Sequence, residues 1–296
     1  MSTGPGGATV SSVSEDVPGV RRFGARLDDA VAARGPLCVG IDPHPALLAE
    51  WGLTDDAGGL ERFAMSALEA LAGHVAVIKP QSAFFERHGS AGVAVLERLL
   101  AAAADTPTLT LLDVKRGDIG STMDGYADAY LGVGAPLAAD AITLSPYLGL
   151  GSLAPAVRIA VDAGRGVFVL ARTSNPEGGE VQLAGWAGRS VAQTVVDGAA
   201  ALNAGVEPLG DVGVVVGATA EHGLELGALN GAVLAPGLGA QGAGPGDLAA
   251  RFAGVDGLVL PTASRSVLRH GPDPAALRGA AEALRDELDR ARTAAG

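Results

Sequence analysis

Short uninterrupted apolar runs alternate along the chain with longer stretches in which apolar residues recur every three or four positions. The runs are Leu37–Ile41, Val75–Ile78, Leu109–Val114, Ala141–Leu144, Gly166–Leu170, Val212–Val216, Ala232–Leu234 and Gly257–Leu260, eight in all. None shows the apolar–polar alternation of a half-exposed strand, so each predicts a strand covered on both faces, as in a parallel sheet. The intervening segments Leu60–Ala72, Gly92–Ala104, Thr122–Leu131, Leu153–Ala163, Trp186–Ala204 and Leu248–Phe252 carry helical spacing. Eight strand–helix units in one chain predict an α/β fold, a (β/α)8 TIM barrel forming a single domain over residues 19–296. The competing open, doubly wound sheet calls for a Gly-rich nucleotide fingerprint after its first strand, and none stands there. After Gly271-Pro272-Asp273-Pro274, Leu and Ala at helical spacing predict a last helix closing the outer ring. Residues 1–18, rich in Ser, Gly and Val without a period, read as a flexible N-terminal tail.

Composition narrows the partners. Against 33 acidic residues stand 21 basic ones, a net charge of -12 that opposes non-specific binding to nucleic acid or anionic membranes. A small molecule held by a few local basic groups is the expected partner. The single cysteine, Cys38, excludes an intrachain disulfide framework and a multi-cysteine zinc site, and suits a reducing cytoplasm. No apolar run is long enough to span a bilayer, and the opening residues lack the pattern of a signal peptide, so a cytoplasmic protein is expected.

Catalytic groups of such a barrel stand at the C-terminal ends of its strands, and those positions are polar here. The 21 basic residues include only two lysines, Lys79 and Lys115, and each closes an apolar run. An amine can transfer protons where a guanidinium practically cannot. On the third strand the pleat places Asp113 and Lys115 on one face, and Gly117 lets the chain turn to present Asp118. Carboxylates crowd together only with cations between them, which predicts an alternating array of Lys79, Asp113, Lys115 and Asp118. Singly, Asp113 also reads as a helix cap, Asp118 as a turn residue and the lysines as solvated strand ends; their convergence favours a site.

The seventh-strand exit, Pro236 through Gly244 with Gln241 at its centre, is a glycine-rich loop whose amides can wrap a phosphate, and Arg265 follows the eighth strand, where such barrels often hold one. Asp42 after the first strand reads equally as a sugar-hydroxyl acceptor or an Asp-Pro turn. Ser174 after the fifth reads as a contact to a polar ring or as loop chemistry. The five histidines, His44, His74, His88, His222 and His270, are scattered without metal-ligand spacing, so no metal site is expected.

At Asp113-Val114-Lys115-Arg116-Gly117-Asp118-Ile119 the chain resembles the orotidine 5′-phosphate decarboxylase family, whose hallmark is Asp-x-Lys-x-x-Asp-Ile at the third barrel strand. Gly40-Ile41-Asp42-Pro43-His44-Pro45, Ile78-Lys79-Pro80-Gln81-Ser82-Ala83-Phe84-Phe85-Glu86 and Ala235-Pro236-Gly237-Leu238-Gly239-Ala240-Gln241-Gly242 resemble its longer bacterial (type 2) branch, in the family's order. The resemblance implies decarboxylation of orotidine 5′-phosphate to uridine 5′-phosphate in pyrimidine synthesis, without a metal or organic cofactor.

On that resemblance Lys115 stabilises the carbanion at C6 and protonates it, and Asp113 faces the departing carboxylate. Lys79 and Asp42 hold the ribose hydroxyls. Asp118, Ile119 and Thr122 reach into a neighbour's site, implying a homodimer. Ser174 meets the pyrimidine, with Thr173 the alternative, and Pro236 lines the base pocket. Gln241 bridges base and phosphate, and Arg265 pairs with the phosphate. Where many relatives have Gly-Arg after the last strand, this chain has Ser264-Arg265. Two other readings stay open. A magnesium-dependent sugar-phosphate decarboxylase would place a carboxylate where Lys79 stands, and a catalytically silent barrel would keep the pocket alone.

Overall fold

The computed structural model describes residues 19–218, 221–239, 242–255 and 257–295. The expected tail, 1–18, and Gln241 lie outside the described residues. Eight parallel strands close into a barrel: β1 (Cys38–Ile41), β2 (Val77–Pro80), β3 (Leu109–Arg116), β4 (Ala141–Leu144), β5 (Gly166–Arg172), β6 (Val212–Val216), β7 (Val233–Pro236) and β8 (Val259–Ala263). Each pairs with its neighbours in chain order, and β8 returns to β1 through Cys38↔Thr262 and Val39↔Ala263.

Uniform burial conceals a strict parity. Cys38, Val77, Leu109, Leu111, Ala141, Phe168, Val215, Leu234 and Leu260 fill the barrel interior, while Val39, Ile78, Leu112, Ile142, Val169, Val214 and Val233 pack outward under the helices. The interior is sealed from below by the helix Phe23–Arg34, which inserts Phe23, Leu27 and Ala30 among the interior residues. Phe23 meets Phe168 edge-on, with ring centroids 6.1 Å apart. Asp211 accepts hydrogen bonds from the Gly24 amide at 2.8 Å and Arg22 Nε at 2.8 Å, tying this helix to the start of β6. Gly24 lies so near the Leu209 carbonyl that a Cβ would stand 1.9 Å from its oxygen.

The strands extend beyond their apolar runs. β2, β3, β5, β7 and β8 each continue past the last apolar position into polar or proline residues, because parallel pairing continues there: Gly40↔Lys79 and Ile41↔Pro80 are in register. The helix expected over 186–204 begins at Val191, where Ser190 Oγ accepts from the Gln193 amide at 3.1 Å. Trp186 instead sits in a two-stranded ribbon, Gly185–Trp186 against Arg189–Ser190, whose tip residues Ala187 and Gly188 both have positive φ. The final helix, Pro274–Ala295, packs on Ala57–Leu71 and closes the outer ring as expected.

Candidate active site

Interior parity carries straight into the chemistry at the C-terminal mouth. Continuing the inward series of each strand leads from Val77 to Lys79, from Leu111 to Asp113 and Lys115, and from Cys38 to Asp42. These side chains line a cleft of about 390 Å³ together with Gln81, Thr143, Thr173, Ser174, Pro236, Ser264 and Arg265.

Asp113 is the hub. Its Oδ1 accepts from Lys115 Nζ at 2.6 Å and from Thr143 Oγ1 at 2.8 Å, and its Oδ2 accepts from Lys79 Nζ at 3.1 Å and Gln81 Nε2 at 2.9 Å. Burial alone would raise the pKa of a carboxyl that is 8% exposed, but the two ammonium groups and their hydrogen bonds outweigh it and hold Asp113 well below the usual carboxylate range. Burial likewise opposes charge on Lys79, 5% exposed, yet the carboxylates of Asp113 and Asp42 push its pKa up. Both stay ionised near neutrality. Cys38, beneath them, is driven by burial to a pKa of about 12 and is no nucleophile.

Lys115 differs from Lys79 in access. Its side chain is 46% exposed, so its ammonium faces the open cleft while remaining fastened to Asp113. One face of the carboxylate is held by a buried cation and the other by a cation a ligand can reach.

The four-member array expected from the sequence closes only in part. Asp118 is not among the residues lining the cleft of its own chain. The chain turns at Gly117, pressed so closely on the Ser145 carbonyl that a Cβ would stand 2.3 Å from its oxygen, and Asp118 Oδ1 accepts from the Ile119 amide at 2.8 Å. Ile119 and Thr122 are also exposed and outside the cleft. The array within one chain is therefore Lys115, Asp113 and Lys79, with Asp42 beside Lys79.

Asp42 lines the cleft with a buried Oδ1 that has no hydrogen-bond partner among the described residues. The Ser264 hydroxyl is in the same condition, and the Arg265 guanidinium beside it is exposed to solvent. Between β7 and this end, Gly237 and Gly239 adopt φ of 121° and 74°, which a glycine accepts without strain. Thr173 and Ser174 both line the cleft. The Thr173 hydroxyl accepts from Gln182 Nε2 at 2.8 Å and donates to Asn175 Oδ1 at 2.6 Å.

Sequence reasoning passed over Gln81 and Thr143. Parity was the available signal for Thr143, the lone polar residue in the run Ala141–Leu144, two positions after an inward Ala141. Among the described residues no three His, Cys, Asp or Glu side chains gather in a metal-binding group.

A family model described as Orotidine 5′-phosphate decarboxylase / HUMPS family matches residues 35–280. A Salinispora arenicola protein named orotidine 5′-phosphate decarboxylase is 62% identical over 262 residues, spanning 88% of this chain and 94% of the relative. One of the same name from Streptomyces coelicolor is 58% identical over 275 residues, spanning 92% of this chain and 99% of its own. A solved Streptomyces avermitilis structure, provisionally assigned the same activity, superposes with a TM-score of 0.90 at 55% identity and covers 96% of this chain and 99% of its own.

Proposed function

The chain belongs to the orotidine 5′-phosphate decarboxylase family, and from that premise we propose that its reaction, conversion of orotidine 5′-phosphate to uridine 5′-phosphate and CO2, runs on the Lys79–Asp113–Lys115 array. The observation that carries this reading is one carboxylate held between a buried and an accessible ammonium on the floor of the cleft. As the C6–carboxylate bond breaks, CO2 departs and the electron pair stays on C6. The Lys115 ammonium stabilises that charge and transfers a proton to C6; the neutral amine regains its proton from water. Asp113 faces the departing carboxylate and fixes the position of Lys115.

The remaining roles follow the cleft outward. Lys79 and the unpartnered oxygen of Asp42 hold the ribose hydroxyls, Ser174 and Pro236 bound the pyrimidine, and Arg265 pairs with the phosphate. Gln241 is assigned by resemblance to the bridge between base and phosphate. Binding energy from the phosphate, remote from the bond being broken, then contributes to reaching the transition state.

We assign the working unit as a homodimer, with Asp118, Ile119 and Thr122 completing the neighbour's site. The support is their placement at the end of β3 but outside their own cleft, together with large apolar side chains exposed after β3 and β4: Ile119, Tyr147 and Leu148 are 62%, 78% and 51% exposed. Mixed Asp118→Ala and Lys115→Ala subunits, each inactive alone, should recover on the order of a quarter of wild-type activity, since half of randomly paired dimers carry one intact site of two. No recovery after verified subunit exchange would reject the sharing.

The cytoplasm is the proposed compartment, supported by a lone buried thiol; no helix among the described residues is long and apolar enough to cross a membrane. The direct test of function is loss of the orotate chromophore when orotidine 5′-phosphate meets purified protein in a metal chelator, with uridine 5′-phosphate identified by chromatography. Turnover is expected. Turnover only after adding magnesium, or on sugar-phosphate acids instead, would withdraw the reading.

A further inference from the structure

Lys115 is held in an uncommon conformation by an unusual means. Its φ of 46° lies in the left-handed region, which a side chain bearing a Cβ rarely adopts. The cause is in the pairing of β3 with β4. Leu112 faces Ile142 and Arg116 faces Leu144, so three residues, Asp113, Val114 and Lys115, stand opposite the single residue Thr143. Such a bulge re-aims a side chain and withdraws backbone groups from the ladder. Two buried or half-buried amides, those of Val114 and Lys115, then need acceptors that β4's backbone does not supply.

Thr143 supplies one. Its Oγ1 accepts from both the Val114 and Lys115 amides at 3.0 Å, and donates its own hydrogen to Asp113 Oδ1 at 2.8 Å. A hydroxyl has one donor and two acceptor sites, so this one is saturated. Thr143 is 1% exposed, and its χ1 freedom is small because the side chain is β-branched.

Beyond the bulge the chain is anchored separately. Arg116 donates to the Val114 carbonyl at 3.2 Å, to Glu86 at 2.6 Å and to the Tyr130 hydroxyl at 3.1 Å, and Ser145's amide donates to the Arg116 carbonyl at 2.7 Å. The ends of the bulge are thus tied down, and the hydroxyl of Thr143 is what joins its middle to the next strand.

We propose that Thr143 is a positioning residue for the decarboxylation: its hydroxyl holds the Lys115 backbone in the left-handed bulge and orients the Asp113 carboxylate, setting the Lys115 ammonium against the reacting carbon. This rests on Lys115 as the proton donor. Thr143 acts through the bulge and through Asp113, so its loss should misplace the ammonium rather than empty the pocket. Misplacement of a reacting group by about an ångström can cost on the order of 100-fold in rate.

The experiment compares Thr143→Val, which keeps shape and loses the hydroxyl, with Thr143→Ser, which keeps the hydroxyl, and runs Lys115→Ala alongside. Thr143→Val is expected to lower kcat by roughly 10- to 100-fold, with KM for orotidine 5′-phosphate and Kd for uridine 5′-phosphate within about threefold of wild type. Thr143→Ser is expected to restore kcat to within about threefold. Should Thr143→Val fail to fold, Thr143→Ala set against Thr143→Ser carries the same contrast of hydroxyl lost and hydroxyl kept. The proposal is overturned if the hydroxyl-free variant keeps wild-type kcat, or loses product affinity as steeply as kcat, or if Thr143→Ser is as impaired. If Lys115→Ala itself retains turnover, the failure belongs to the reading of Lys115; if it is inactive while Thr143→Val turns over normally, only the role of Thr143 falls.

Discussion

Lys115→Ala is expected to abolish turnover in a protein that still folds and still binds uridine 5′-phosphate. Two effects reside in that one ammonium. Proton transfer by a positioned acid contributes about 10²- to 10⁴-fold, and a preorganised charge aimed at the developing carbanion about 10²- to 10³-fold. Losing both should lower kcat by more than about 10⁴-fold. Folding should survive because the lysine is 46% exposed and its removal leaves Asp113 with Lys79, Gln81 and Thr143 as donors. A partly exposed ion pair of this kind is worth about 1 kcal/mol or less. Single-turnover absorbance with substrate, together with calorimetric binding of uridine 5′-phosphate, separates the two quantities. A kcat within about tenfold of wild type would remove Lys115 from the chemistry.

Asp113→Ala should have the largest combined effect, since it removes an acceptor of four hydrogen bonds and strands Lys79, which is 5% exposed. Removing one partner of a buried ion pair costs about 3–5 kcal/mol, because the remaining charge loses its hydrogen-bonded counter-ion; Lys79 would keep only the more weakly acting Asp42 carboxylate. The expected result is a stability loss of about that size in chemical denaturation, with a fall of at least about 100-fold in kcat from misplacement of Lys115.

The dependence on pH has a definite sign. Asp113 is depressed in the folded protein, so its contribution is fully present above the unfolded value of about 3.9 and is lost as pH falls through the folded one. Lys79 is raised, so its contribution is present below about 10.4 and is lost as pH rises through its folded value. The contribution of these two groups to wild-type stability is therefore constant from about pH 5 to pH 9, and the difference between wild type and Asp113→Ala should shrink below about pH 4. A difference under about 1 kcal/mol at neutral pH, or one that does not shrink in acid, would reject the buried pair as the source.

The barrel was legible because its signals are local. Eight apolar runs appear as eight strands, and Ala141–Leu144 and Val212–Val216 match residue for residue. The strand ends were misjudged where hydrophobicity stops before pairing does: Lys79 and Pro80 remain in register with Gly40 and Ile41 although neither reads as strand by hydrophobicity. The helix Phe23–Arg34 was not singled out. Its role as the plug beneath the barrel depends on Phe168 and Asp211, more than a hundred residues away in the chain.

For the site, the residue types along Asp113-x-Lys115 and the scarcity of lysine sufficed to pick out Asp113, Lys115 and Lys79, since strand pleat and strand order are both periodic properties of the chain. Three things were not. Gln81 and Thr143 read as ordinary polar residues of a loop and a buried strand, and Asp118 reads by residue type as part of the charged array, with only the resemblance sending it to a neighbour's site. Each depends on where one strand stands against the next: the bulge that sets three residues of β3 against Thr143, and the turn at Gly117 that carries Asp118 away from Asp113. The sequence by itself determined the barrel and that Lys79, Asp113 and Lys115 meet at its mouth, because periodicity and the order of the strands are written along the chain. Only the tertiary structure decided the conformation of Lys115 and the company Asp113 keeps, because a register shift between two strands is a property of their pairing and belongs to neither alone.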